Sequence, residues 1–483
     1  MMKLNDLYPG VGTDIVIKAI KINSKEVEPG DLFVCTMGVT ADRHEFIDDA
    51  IKHGAAAVIV SKDVPDKSVP IIKVPDTNRE LPYLCQKFYD YPDKKLKVIG
   101  VTGTDGKTST STIIQSLIGS DICGYIGTNG RSCAAFSGDN PNTTPDAHLL
   151  YSYMDEFVKF NCKYVATEAS SEAFFRGRLQ AMLYDAAVYT NITSEHLNIH
   201  GSFENYVQCK LMLFKQVKEN GICILNKDDK FYELVKSACK GKVFSYGKDI
   251  DNTLQIVNFK VFPNKTDIKF NYKGNVFDVE SPLLGDFNVY NLAAALLTCL
   301  ELGFKLEDLL KNIPNLYVDG RLQMLNTKSP YYVMVDYAHT PNGIERLLNF
   351  VHTLDINRSI VVIGQAGDRD YLKRPIVGEV VVKNATYAIF TGEDPRSEDP
   401  MKICEDIIQT VKNTHTNYEI IVDRRKAIQK AIDMAEEKDM VLILGKGNET
   451  YQKLKTETIY FNDVEEAYQA VVNRNMKEEL TRQ

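Results

Sequence analysis

The chain has 483 residues, 44% hydrophobic and 25% charged, with a formal net charge of −8. That length sets about three domains, the balance is that of a globular protein, and the acidic sign argues against nonspecific nucleic-acid binding. No apolar run reaches the roughly 20 residues of a membrane helix, the segment MMKLNDLYPGVGTD lacks a signal-peptide core, and ten cysteines without a C-x-x-C pair read as the reduced thiols of a cytoplasmic protein. Residues 1–95 then mix short strand-like runs (Ile15 to Ile22, Asp31 to Thr36, Ala56 to Val60) with a helical stretch from Phe46 to His53. The mixture predicts a small α/β domain.

Next, an apolar run from Leu96 to Val101 enters Gly103-Thr104-Asp105-Gly106-Lys107-Thr108, and a Ser/Thr-led segment carrying Ile113, Ile114 and Leu117 follows. The order is strand, glycine loop, helix. Glycines let backbone N–H groups close on a polyphosphate, and the helix N-terminus adds its positive end. Lys107 has the reach for terminal phosphates, and the Thr108 hydroxyl can hold Mg²⁺. The motif predicts a site for ATP or GTP. It departs from the common P-loop: Val101 stands where the first glycine is usual, and the glycines are Gly100 and Gly103.

Strand–helix alternation continues through CKYVATEAS, YDAAVYTNIT and GICILNKDD, which predicts a mostly parallel sheet. Glu168 ends the first of these strands. A carboxylate there can hold Mg²⁺, directly or through water, or be a solvated surface group. His196 and His200 share a polar loop, where a phosphate or metal site and a structural role both remain open. Lys210 sits on the helical segment that follows; by itself such a lysine marks a solvated face. Period-two alternation in KVFSYG, LQIVNFKVF, DIKFNY and NVFDVE, between 241 and 283, predicts an antiparallel insert. From 326 the rhythm restarts in five units, YYVMVDYAH, SIVVIGQAG, YAIFTGEDP, YEIIVDR and MVLILGKG. Five units describe a doubly wound, Rossmann-like sheet with its ligand edge at the strand carboxyl ends. Those ends carry His339, Asp368, Arg369, Asp394, Arg396 and Gly445.

Several blocks follow one another in a recognisable order. Glu168-Ala169-Ser170-Ser171-Glu172-Ala173 is followed by Glu195 through Gly201, then Tyr206 through Phe214 around Lys210, then Gly285 through Asn291. Gly320-Arg321-Leu322-Gln323, Asp336 through Pro341, Gly367 through Asp370 and Lys373-Arg374-Pro375 complete the series. Together with the G-T-x-G-K-T loop, they resemble the Mur ligase family over nearly the whole chain. The first domain matches more weakly, with Asn23-Ser24-Lys25 where D-S-R is usual. Other departures are Glu172 for histidine, Glu195 and Asn198 for aspartates, Gln323 for glutamate, and Arg176 where some members have glutamine.

The resemblance implies an α/β fold of three domains. These are a small UDP-substrate-binding domain (1–95), a central P-loop ATP-binding domain with a parallel sheet and a small antiparallel insert (96–325), and a C-terminal Rossmann-like amino-acid-binding domain (326–483). It implies an ATP-dependent amide ligase, working through an acyl phosphate, that adds a diamino acid to UDP-MurNAc-L-Ala-D-Glu in peptidoglycan-precursor synthesis. A cytoplasmic monomer with no nucleic-acid or membrane partner is expected. By resemblance Gly103, Thr104, Asp105, Gly106, Lys107, Thr108, Asn291, Arg321 and Asp336 bind ATP. Thr108, Glu168, His196 and Lys210 hold Mg²⁺, Lys210 as a CO₂-derived carbamate; Lys107, His196 and Lys210 are the catalytic set. Ser24, Asn142, Thr143, Thr144, Ser170, Arg176 and Arg178 fall on positions for the UDP-MurNAc-dipeptide.

Arg369, Asp394, Arg396, Gly445 and Glu449 fall on positions for the added amino acid. Glu393-Asp394-Pro395-Arg396 is similar to the D-N-P-R of diaminopimelate-adding members, and Gly445 through Glu449 to their G-K-G-x-E. Arg396 suits a distal carboxylate as a two-pronged donor, while Asp394 and Glu449 suit a distal ammonium. Asp394 stands where asparagine is usual. Its charge either attracts a plain ammonium or pairs with Arg396 and weakens that residue's hold on a substrate. The balance favours meso-diaminopimelate, with L-lysine as runner-up and a folylpolyglutamate-type ligase as the related alternative.

Overall fold

The computed structural model describes residues 1–483 except 13, 39–41, 194–196, 321, 448 and 483, with the side chains of 197, 198 and 478–482 also outside the description. The chain divides into two compact units: Met1–Ile256, Asn271–Asn275 and Tyr290–Leu310 form one, and Val257–Phe270, Val276–Val289 and Lys311–Gln483 the other.

The first unit opens with four short parallel strands, Ile20–Lys21, Leu32–Val34, Ala57–Val60 and Ile71–Lys73, in that order across the sheet. The run expected from Ile15 to Ile22 is broken in two, because Val16–Ile17 pairs instead with Met2–Lys3. The helix Thr77–Phe88 starts at Asp76, whose carboxylate accepts the N–H groups of Asn78 and Arg79.

The strand Lys97–Thr102 lies inside a larger sheet, between Tyr164–Glu168 and Tyr184–Tyr189 and parallel to both. Its residues Val98, Ile99 and Val101 are fully buried, the continuous apolar run of a strand covered on both faces. Val217–Asn226 and Lys242–Gly247 extend the sheet in parallel. The KVFSYG segment is thus a strand of the main sheet and not the start of an antiparallel insert. The helix Tyr232–Ala238 provides its crossover. Period two reports a half-covered strand but not its direction. Further on, Lys273 and Gly274, at φ 51° and 90°, separate the strands Thr266–Tyr272 and Asn275–Ser281. Such a two-residue connection fits a tight antiparallel hairpin.

The second unit holds the sheet Gln323–Met324, Tyr332–Asp336, Met440–Leu444, Ser359–Ile363, Tyr387–Phe390, Tyr418–Ile420, in that order. All neighbours are parallel except the first pair. All five expected strands are present. One core holds Ile344, Leu348, Val377, Val381 and Ile407; another holds Ile428, Ile432, Ala467 and Val471. Helices covering both faces make this the doubly wound arrangement. Among the described residues no helix is long and apolar enough to cross a membrane.

Candidate active site

The glycine loop is shaped by contacts that a side chain would block. A Cβ on Gly103 would lie 1.8 Å from Thr190 Oγ1, and one on Gly106, at φ +82°, 2.4 Å from Asn291 Oδ1. Thr190 donates to the Asp105 carbonyl at 2.6 Å, and the Thr104 and Tyr206 hydroxyls are 2.8 Å apart. Lys107 begins the helix Lys107–Ile118 and donates to the carbonyls of Gly103 and Thr104 at 3.0 and 2.8 Å. Lys210 is not on a solvated face: it is almost wholly buried and donates to the same Gly103 carbonyl at 2.5 Å.

Glu168 is fully buried rather than solvated. Its Oε1 accepts from the Tyr125 hydroxyl and the Thr128 N–H, each at 2.8 Å; its Oε2 accepts from Thr108 Oγ1 at 3.0 Å and Thr128 Oγ1 at 3.3 Å. Burial and the neighbouring Glu168 charge push the Tyr125 hydroxyl well up, so it remains a donor. An octahedral Mg²⁺ with bonds of about 2.1 Å has adjacent ligands about 3 Å apart. The Thr108 and Glu168 oxygens therefore fit two neighbouring corners of such a shell. His200 packs beside Ser171, 3.1 Å from its hydroxyl, with the Phe175 and Tyr206 rings edge-on. These contacts hold His200 beside the buried side chains of Ser171 and Tyr206.

Beside this group the same unit holds a cavity of about 250 Å³, lined among others by Thr36, Arg43, Asn142, Glu172, Arg176 and Arg178. Glu172 Oε1 takes Arg176 Nε at 2.7 Å, and Asp146 takes Arg178 Nε at 2.7 Å. Thr144 donates to the Glu168 carbonyl at 2.7 Å and lies 3.0 Å from the Ser170 hydroxyl, while Arg178 donates to the Thr144 carbonyl at 3.0 Å. Thr128 joins the two groups, because its hydroxyl is also 3.0 Å from that of Thr143. Ser24 is buried in a short turn and is not among the residues lining this cavity.

In the second unit the loops after three strands are stitched together. Gly367 donates to the Asp394 carbonyl at 2.8 Å, and a Cβ on Gly367 would meet the Pro395 carbonyl oxygen at 2.0 Å. Asp368 accepts from the Ser397 hydroxyl at 2.6 Å, and the buried Arg374 grips Glu398 through two bonds at 2.8 and 2.9 Å. The Asp394 carboxylate takes Lys446 Nζ at 2.9 Å and the Lys453 N–H at 3.2 Å; the same ammonium reaches Glu449 at 3.0 Å. Among the described residues Asp394 makes no ion pair with Arg396, and no carboxylate pairs with Arg396 or Arg369. Glu393 lies fully buried beneath Gly445, and desolvation pushes its carboxyl up to about 7 despite the nearby Arg424 and Lys446.

Three family models match in chain order: Mur ligase family, catalytic domain (16–95), Mur ligase middle domain (101–299), and Mur ligase, glutamate ligase domain (320–447). The UDP-N-acetylmuramoyl-L-alanyl-D-glutamate--2,6-diaminopimelate ligase of Geobacillus thermodenitrificans is 36% identical over 478 residues, 97% of each chain. This chain belongs to the Mur ligase family. The ligase of the same name from Clostridium perfringens is 33% identical over 97% of this chain and 99% of its own. A solved structure of a ligase of that name superposes with a TM-score of 0.71 at 30% identity, covering 98% of this chain and 99% of that one.

As a Mur ligase the chain has the three-domain α/β architecture with parallel sheets that its motifs implied. Of the expected ATP group, the loop from Gly103 to Thr108 lies with Asn291 in the first unit, while Asp336 lies in the second. Asp336 accepts the N–H groups of Leu322 and Ala338, each at 2.7 Å, and so shapes the turn that follows Arg321. Arg321, Glu195 and His196 lie outside the described residues. Sequence reasoning missed Tyr125, Thr128, Arg43 and the charge on Lys446. For Thr128 a signal existed in the turn Gly127-Thr128-Asn129-Gly130 at the end of a strand beside Tyr164–Glu168, the strand that Glu168 ends.

Proposed function

We propose that this Mur ligase joins meso-diaminopimelate to the D-glutamyl carboxylate of UDP-MurNAc-L-Ala-D-Glu at the expense of ATP, in the cytoplasm. The relatives of that name, at 33–36% identity along the full chain, support the reaction class. The observation that carries the choice of amino acid is the engagement of Asp394 by Lys446, which leaves the Arg396 guanidinium without a described carboxylate partner. A substrate's distal carboxylate is the partner it suits. L-Lysine lacks that group and would leave Arg396 unmatched, a penalty of about 1–3 kcal/mol.

In this reading the glycine loop and the N-terminus of the helix Lys107–Ile118 cradle the ATP phosphates. Lys107 releases its two loop carbonyls and neutralises the transferring phosphoryl group as the substrate carboxylate attacks. Thr108 and Glu168 would hold Mg²⁺, which supplies charge neutralisation at the phosphates. Asn142, Thr143, Thr144, Ser170, Arg176 and Arg178 orient the nucleotide-sugar dipeptide beside that group, and the acyl phosphate then meets the amine. Arg369, Arg396, Asp394 and Glu449 orient the amino acid. A carbamate on Lys210 keeps one N–H for the Gly103 carbonyl and adds the oxygen ligands that a second divalent ion prefers.

The test is a ligation assay with ATP, Mg²⁺, the UDP-linked dipeptide and diaminopimelate. ADP release should require all four. Lys107→Ala should lower turnover by at least about 100-fold, the effect of one lost donor at a charged transition state. ATP turnover without the dipeptide, or undiminished turnover in the variant, contradicts the reading.

A further inference from the structure

Lys446 is a buried ammonium inside the cluster that the proposed function gives to the amino acid, and that function uses it only as the partner of Asp394. Its side chain is fully buried, and its nitrogen sits 2.9 Å from Asp394 and 3.0 Å from Glu449. Those two carboxylates are the groups a substrate's distal ammonium would otherwise meet. Arg424, the other buried cation nearby, is already held by Asp463 through two bonds at 2.8 and 2.7 Å. Glu393 adds a further carboxyl group, buried like that of Asp394.

We infer that Lys446 is a specificity-determining residue: an internal ammonium that satisfies Asp394 and Glu449, so that selection rests on the distal carboxylate at Arg396. Two consequences follow from charge alone. With Lys446 in place, Asp394 exerts little repulsion on a substrate carboxylate two residues along the chain, at Arg396. With Lys446 neutralised, the buried Asp394 and the partly buried Glu449 lose their countercharge, and they attract any free ammonium and repel a carboxylate.

This inference rests on the amino-acid site proposed above, and the experiment separates the two. Diaminopimelate and L-lysine are compared as substrates by kcat/KM in wild type, Lys446→Met, Lys446→Gln and the double variant Lys446→Met/Asp394→Asn, with KM for ATP and thermal melting recorded for each. The expected result is that both neutral variants shift the diaminopimelate-to-lysine ratio at least about tenfold toward lysine, through KM for the amino acid. KM for ATP stays unchanged, and the double variant restores most of the ratio. Lys446→Gln carries the same expectation should Lys446→Met melt too low to assay. A ratio that stays constant while both activities fall together overturns the inference and makes Lys446 a packing residue. Wild type that already prefers lysine overturns the parent reading instead.

Discussion

Glu393 shows how burial sets chemistry at one residue. Its carboxyl is fully buried and desolvation raises it from 4.5 to about 7, with Arg424 and Lys446 pulling the other way. A carboxyl raised on folding binds a proton more tightly in the native state than in the unfolded chain. Its contribution to stability is therefore complete below about pH 4.5 and is lost as pH rises through about 7. At about 1.4 kcal/mol per pH unit the loss is about 3 kcal/mol. Glu393→Gln should remove that slope, so denaturation at pH 5 and pH 8 should show the variant gaining on wild type at pH 8. An advantage that does not grow with pH contradicts the burial argument. Lys210 makes the second residue-scale case. Lys210→Ala should inactivate the ligase, and added acetate should restore part of the turnover by standing in for the carbamate. Full activity in the variant refutes the modification.

At the scale of elements, the P-loop depends on a close approach between neighbouring strands' ends. Gly103→Ala places a Cβ 1.8 Å from Thr190 Oγ1, and Thr190 itself holds the Asp105 carbonyl. Loop and hydroxyl cannot both stay, so affinity for a fluorescent ATP analogue should fall at least about tenfold, about 1.4 kcal/mol. Unchanged affinity would mean that the loop tolerates the displacement. The strand, loop and helix here were legible because apolar run, glycines and helix pattern agree on one local structure. The same consistency exposed the five strands of the second unit. Other elements were hidden. Ile71–Lys73 is three residues long and carries no period, and the helix Thr77–Phe88 contains Pro82, which reads as a breaker. The direction of Lys242–Gly247 depends on its crossover, which alternation does not report. Lys210 looks like a surface lysine in sequence; only the packing around it shows a buried cation, as it does for Lys446.

Over the whole molecule the residues to which the proposed function gives roles fall in two units. The first contains the glycine loop, Glu168, Lys210 and the cavity with Asn142 and Arg178; the second contains Arg369, Asp394, Arg396 and Glu449. The family and its reaction could be inferred from collinear motifs, because their order along nearly the whole chain resembles that of the Mur ligases. The added amino acid could not be read with equal ease, because one charge at Asp394 supported two pairings. The structure places that charge on Lys446. The direct measurement of the central claim is a competition: equal concentrations of meso-diaminopimelate and L-lysine with ATP, Mg²⁺ and UDP-MurNAc-L-Ala-D-Glu, the products resolved by mass. The account predicts that the diaminopimelate product dominates by about tenfold or more, as expected for one unmatched arginine contact. It also predicts that Arg396→Ala erases the preference. A lysine product in excess, or a preference untouched by Arg396→Ala, contradicts it.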